Sequence, residues 1–377
     1  MGIYFIIFLL LFVASMLEAG GLQKRQAGWV FIGLSIMITL FVGLRYHTGA
    51  DWLLYKETFN GVSNSGMEYG YLLLNKIFKA VFDNYYVLQF SATLFFIFAI
   101  CRFYQKEAPY PIAALVLIVS FLLFNILMAQ VRQSLAIAII LLFSNYIFER
   151  KFWYFLLGIF IASFFHASAI VAIPLYFLYK NYGKTLQIAL ILVANIFYFY
   201  PELLKIIVVQ VAPILPDIIS VKAINYMETI FAEKMKFNTG LGYLSQSAII
   251  LVVILFAKIK DNKSAFFINT LTVFAIVKAL TISVAILERI ESYYLVYAVI
   301  ALTYIWDIKI KNVQLYCTRL IFAGTLILYF YVSPLRALVS KEINPITNRP
   351  ENYTKVPYYN VLSHPPEAST RKDWIEK

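Results

Sequence analysis

Charge is scarce in this sequence of 377 residues, with Asp, Glu, Lys and Arg making up only 14%. Soluble globular domains carry about 25%. The shortage excludes an ordinary soluble enzyme. It also excludes disorder, because disordered chains are rich in charge and poor in apolar residues. Cysteine is nearly missing too, and Cys101 and Cys317 both fall in apolar runs. There is therefore no disulfide framework and no CxxC or Cys/His zinc spacing. A Walker loop, GxGxxG, HExxH and a multi-carboxylate metal cluster are also absent, so no cofactor or metal is expected. The first fifteen residues lack the basic n-region and the cleavage site of a secretory signal and read as a retained helix.

What is present is hydrophobic, 62% of the residues, and aromatic, 18%. Apolar runs cover 2–17, 27–44, 84–101, 110–128, 133–148, 152–179, 185–200, 241–257, 264–287, 290–306 and 315–333. They lack the period-two alternation of an outer-membrane barrel, so each is expected to be a helix in the lipid bilayer. The expected fold is an all-α polytopic membrane protein with about 11–12 transmembrane helices. The transmembrane domain would cover 1–333 with long outer loops at 45–83 and 201–240, followed by an extracytoplasmic tail at 334–377.

The run 152–179 is too long for one upright span and too short for two. Its centre reads Phe164-Phe165-His166-Ala167-Ser168, with Pro174 further on. A tilted single helix and a broken pair bent near His166 are both compatible with its length, and charge decides between them. With the N-terminus outside and 152–179 as a pair, every loop placed inside carries at least two basic residues, such as Lys24 and Arg25, Arg102 and Lys106, and Arg150 and Lys151. That is the positive-inside pattern. In a soluble chain the net charge of +12 would point to nucleic acid. Here it is mostly a topology signal, and no nucleic-acid partner is expected.

Polar groups at membrane depth are costly and therefore candidates for function. On this topology they gather on the outer side. Arg45, Gly49, Asp51, Trp52 and Tyr55 follow the second span. Gln130, Arg132 and Gln133 form a nearly loopless connection. His166 lies at the bend, and Glu288, Arg289, Glu291 and Tyr293 form another short connection. Lys278 lies within the preceding span, with no partner legible. Interfacial anchoring explains Trp52, Tyr55 and Tyr293 as well as any sugar contact does. Arg45, Arg132 and Arg289 share the outer membrane level, and arginine suits bidentate phosphate binding. Phosphate at that depth would belong to a lipid headgroup.

The segment Arg45 to Tyr55 with Gly49-Ala50-Asp51-Trp52 resembles the signature of the EpsG family, which are Wzy-like bacterial polysaccharide polymerases. Val131-Arg132-Gln133 leading into Ala136 and Ala138, the Phe165-to-Ser168 bend, the late Arg289 and the tail Val356-Pro357-Tyr358 resemble it as well. The resemblance implies a GT-C-like fold in the bacterial cytoplasmic (inner) membrane, with the site facing outward. It implies a substrate of oligosaccharide repeat units on undecaprenyl diphosphate, and a flippase and a chain-length regulator as pathway partners. The growing glycan would pass from its lipid diphosphate to the next lipid-linked unit, without nucleotide sugar or metal. In that reaction Arg132, Arg289 and Arg45 would bind the diphosphate, and His166 or Asp51 would be the base. Gln133, Trp52, Tyr55 and Tyr293 would contact sugar or the interface. An O-antigen ligase-like transferase and a polysaccharide or lipid transporter are the rival readings.

Overall fold

A backbone buried in lipid has to satisfy its own polar groups, and the computed structural model does so with helices. It describes residues 2–62, 66–211, 241–281, 287–307, 315–339, 343–344, 349–350 and 358–363. Val356, Pro357, most of the loop 201–240 and the end of the tail lie outside the described residues. Among the described residues, five helices are long and apolar enough to cross a membrane: Gly2–Ala19, Lys24–Gly43, Tyr85–Glu107, Val131–Phe148 and Asn262–Leu280. Shorter apolar stretches accompany them, and the protein is an all-α polytopic membrane protein.

The chain divides into two compact units, one of Met1–Ile173 with Lys309–Lys377 and one of Pro174–Ile308. The first contains α1 (Gly2–Ala19), α2 (Lys24–Gly43), the short strand β1 (Arg45–Tyr46), α3 (Trp52–Asn60), α4 (Tyr69–Phe82) and α5 (Tyr85–Glu107). It continues with α6 (Pro111–Leu122), which ends in a π-helical turn, Leu123–Leu127, and then α7 (Val131–Phe143), α8 (Asn145–Phe148) and α9 (Phe152–Ser163). The second contains α10 (Lys184–Phe199), α11 (Pro201–Val211), α12 (Leu241–Phe256), α13 (Asn262–Thr281) and α14 (Leu287–Leu302). Helix α15 (Leu315–Val339) returns to the first unit, followed by β2 (Ile343–Asn344), β3 (Arg349–Pro350) and β4 (Tyr359–Asn360).

The two ends of the first unit are tied differently. At one end, the Glu18 carboxylate accepts hydrogen bonds from the Ile112 and Ala113 amides at 3.0 and 2.8 Å. An acid there satisfies the orphan amides of the first turn of α6 and suits the positive end of its dipole. Pro111, at the head of the helix, has no amide to orphan. At the opposite end, Gln89 of α5 donates to the Gly43 and Arg45 carbonyls at 2.9 and 2.8 Å. There β1 pairs antiparallel with β4, Arg45 opposite Asn360 and Tyr46 opposite Tyr359. Tyr358 stacks on Phe41, with ring centroids 4.6 Å apart. Residues 358–360 of the tail thus lie at the same end of the unit as the segment after α2.

The run 152–179 is broken, as its length and charge pattern predict. Helix α9 stops at Ser163, and a 3₁₀ segment runs from Ala167 to Leu178 with Pro174 inside it. The loop 45–83 is more structured than a loop, since α3 and α4 occupy most of it. One boundary moves in a way that matters: α7 begins at Val131, so Arg132 belongs to a helical first turn and not to a connection.

Gly49 adopts φ +111°, and a Cβ built there would lie 2.0 Å from the Met128 carbonyl oxygen. Only glycine lets the 45–51 segment approach the connection between the π turn and α7 this closely. Gly49→Ala should therefore destabilise the detergent-solubilised protein, by at least the roughly 1–2 kcal/mol of a left-handed non-glycine residue. Gly28→Ala, inside α2 with nothing within 4 Å of the added Cβ, should leave it as stable or slightly more so. Melting followed by size-exclusion chromatography compares the two, and an unchanged melting temperature for Gly49→Ala would contradict the close approach.

Candidate functional site

Breaking a helix leaves backbone groups without partners, and the break after α9 has one on each side. The segment leading into α4 supplies what is missing. The Gly70 amide donates to the Phe164 carbonyl at 2.9 Å, and the Ala167 amide donates to Glu68 Oε1 at 3.2 Å. A Cβ on Gly70 would lie 2.8 Å from the same carbonyl oxygen, so this docking also needs a glycine.

The Glu68 carboxylate does more than cap the break. Its Oε1 lies 3.1 Å from His166 Nδ1, and its Oε2 pairs with Arg132 Nη1. Arg132 Nη1 also donates to the Gly66 carbonyl at 2.9 Å. Burial tends to raise the Glu68 pKa, but the hydrogen bond from His166, the Arg132 charge and the Ala167 amide outweigh it and hold the group at about 2. An ionised carboxylate can only accept, so this contact is a hydrogen bond when His166 carries a proton on Nδ1. The ring is buried, and its Nε2 has no hydrogen-bond partner among the described residues. The same holds for Arg132 Nε. Beneath these groups lies an aromatic and apolar layer including Tyr55, Phe59, Tyr71, Tyr85 and Val131, with Phe165 against it. The Tyr55 ring is 5.9 Å from the Arg132 guanidinium carbon, within cation–π range.

Arg132 and His166 are thus brought together, whereas the other sequence candidates have different surroundings. Arg45 is 1% exposed. Its Nη1 donates to the Val42 carbonyl at 2.7 Å and its Nε to the Thr48 carbonyl at 3.2 Å. It closes the end of α2, and burial pulls its pKa down. Asp51 stands at the N-cap position of α3, half-buried, with no side-chain capping bond. Trp52 is buried and stacks on His47 at 4.0 Å. Tyr55 and Gln133 are buried as well. In the second unit Arg289 is exposed on the first turn of α14, and Tyr293 is buried. Lys278 meets both oxygens of Glu291 at 3.1 and 3.2 Å, the partner that was not legible in sequence.

Glu68 is the residue that sequence reasoning missed. It is one acid in a loop whose charges balance, 64 residues from Arg132 and 98 from His166. The one local hint is its place two residues before a glycine at the start of an amphipathic helix.

These observations define a class: a polytopic membrane protein with a carboxylate–histidine–arginine cluster at one end of a helical unit, built around a helix break. The chain belongs to the EpsG family, whose model matches residues 28–360. Membership implies a role of the polysaccharide-polymerase type. No curated protein and no solved structure matches the chain.

The depressed Glu68 pKa has a defined sign. Its folded value of about 2 lies below the ordinary 4.5. The ionised form therefore stabilises the docked loop above pH 4.5, and that contribution is lost as pH falls toward 2. Hydrogen exchange of the 66–71 amides should stay slow at pH 5, and protection should fall between pH 4.5 and 2 once intrinsic exchange is corrected for. Protection unchanged down to pH 2 would contradict the assigned ion pair.

Proposed function

We propose that this protein polymerises a cell-surface polysaccharide from lipid-linked oligosaccharide repeat units at the outer face of the bacterial cytoplasmic membrane. The growing glycan passes from undecaprenyl diphosphate to a hydroxyl at the non-reducing end of the next lipid-linked unit. The observation that carries this reading is His166, whose Nδ1 faces a carboxylate that also holds Arg132 and whose buried Nε2 has no partner among the described residues.

The chemistry asks for two things. The acceptor hydroxyl must lose a proton as its oxygen bonds to the anomeric carbon, and imidazole Nε2 accepts it in the usual range of a general base. The bond from the anomeric carbon to the diphosphate oxygen breaks, and the electron pair leaves on that oxygen. A fixed arginine stabilises this developing charge. His166 takes the first role and Arg132 the second. Asp51, the rival base, is assigned to the start of α3. Arg45 holds the segment after α2 in place, Trp52 stacks on His47, Tyr55 forms part of the support beneath the site, and Arg289 stands apart from this assignment. The surplus of basic residues on the loops at the far end supports an outward-facing site.

Reconstituted protein supplied only with purified lipid-linked repeat units should produce a ladder of polymer. Arg132→Ala and His166→Ala should each slow it by about 10²–10⁴-fold, the usual worth of a general base or an oxyanion donor. A product formed only after adding a different acceptor would instead identify a ligase. Translocation of the lipid-linked unit with no new glycosidic bond would identify a transporter.

A further inference from the structure

One carboxylate lies between the two groups assigned to the reaction. Oε1 of Glu68 faces His166 Nδ1 at 3.1 Å and accepts from the Ala167 amide at 3.2 Å, while Oε2 pairs with Arg132 Nη1. Each oxygen thus has a separate task, and α4, α7 and the helix break converge on this one side chain. We infer that Glu68 is a positioning residue that fixes the tautomer of His166 and the orientation of Arg132 together, so that base and phosphate-binding group are set as a unit. The inference rests on the polymerase reading for its chemistry and on the geometry for its placement.

The physical reasoning has three steps. A neutral imidazole carries its proton on either nitrogen, and the partner of one nitrogen decides the state of the other. With Glu68 accepting from Nδ1, the buried Nε2 keeps its lone pair to take the proton of the acceptor hydroxyl. When Nε2 takes that proton, the imidazolium lies against an anion already in place, with no charge to bring in at the moment of reaction. The third step concerns Arg132. With Nη1 held by Glu68 and the Gly66 carbonyl and the Tyr55 ring alongside, the guanidinium is anchored in one orientation, and its buried Nε has no partner among the described residues. A lipid diphosphate therefore meets an arginine already oriented, and binding it does not require breaking the pair with Glu68.

Removing the Glu68 charge while keeping its shape should reduce turnover more than binding. Glu68→Gln should lower kcat by about 100-fold or more, in line with other carboxylate–histidine pairs where the wrong tautomer results. KM for the lipid-linked unit should change by only a few fold. Glu68→Asp keeps the charge and should recover part of kcat.

Tautomer state is a readout that a merely structural role would not move. The sequence has three histidines, His47, His166 and His364, so ¹⁵N-histidine NMR of the reconstituted full chain can resolve His166, assigned with His166→Gln. In the wild-type protein His166 should be protonated on Nδ1 and bare on Nε2, and in Glu68→Gln this preference should weaken or reverse. A wild-type His166 protonated on Nε2 would overturn the inference even if Glu68→Gln fails to fold. Active wild-type protein with an unchanged kcat in Glu68→Gln would overturn it while leaving the polymerase reading standing. Wild-type protein that makes no polymer would sink that reading, and the tautomer measurement would still decide whether Glu68 sets His166.

Discussion

The backbone of a broken helix at membrane depth must find partners from outside its own run, and here one short segment supplies them. Gly70 takes the carbonyl before the break and Glu68 takes the amide after it. Everything proposed for the site depends on this docking. It brings an acid from the loop before α4 to a histidine at the bend, and the other oxygen of that acid reaches an arginine on the first turn of α7. Without the break there would be no orphan amide for Glu68 to accept from. Without the small residue at position 70 the segment could not approach closely enough to put the carboxylate there.

The supporting structure follows the same economy. Arg45 is fully buried but not idle, because the end of α2 has carbonyls to satisfy and Arg45 satisfies one while also holding the turn at Thr48. The turn itself rests on Gly49 against the Met128 carbonyl, at the junction between the π turn and α7. Arg132 therefore emerges from a helix start whose position is set by packed backbone, which keeps a charged side chain at a defined place. In the second unit, Lys278 and Glu291 meet the same requirement that buried charges be paired.

Much of this was legible in the sequence because the bilayer permits few solutions. Runs of apolar residues had to become helices, and the awkward length of 152–179, with His166 at its centre and Pro174 beyond, indicated a break. Arg132 and His166 were legible as costly residues at membrane depth. Their meeting was not, because it passes through Glu68, which is far from both in the chain and has an unremarkable neighbourhood. Arg45 was read as a phosphate ligand because an arginine at a helix end has two uses, and its hydrogen bonds to the Val42 and Thr48 carbonyls favour the structural one. The partner of Lys278 was hidden for the same reason, since a pairing between two helices depends on how they meet.

The most direct measurement is an electron cryo-microscopy structure of the reconstituted protein with a lipid-linked diphosphate bound. The diphosphate should lie within hydrogen-bond distance of Arg132, with Glu68 still bridging to His166 and His166 Nε2 facing the position of the acceptor hydroxyl. A diphosphate bound away from Arg132, with the Glu68 cluster closed and out of reach of any sugar, would contradict the assignment of this cluster as the reaction site.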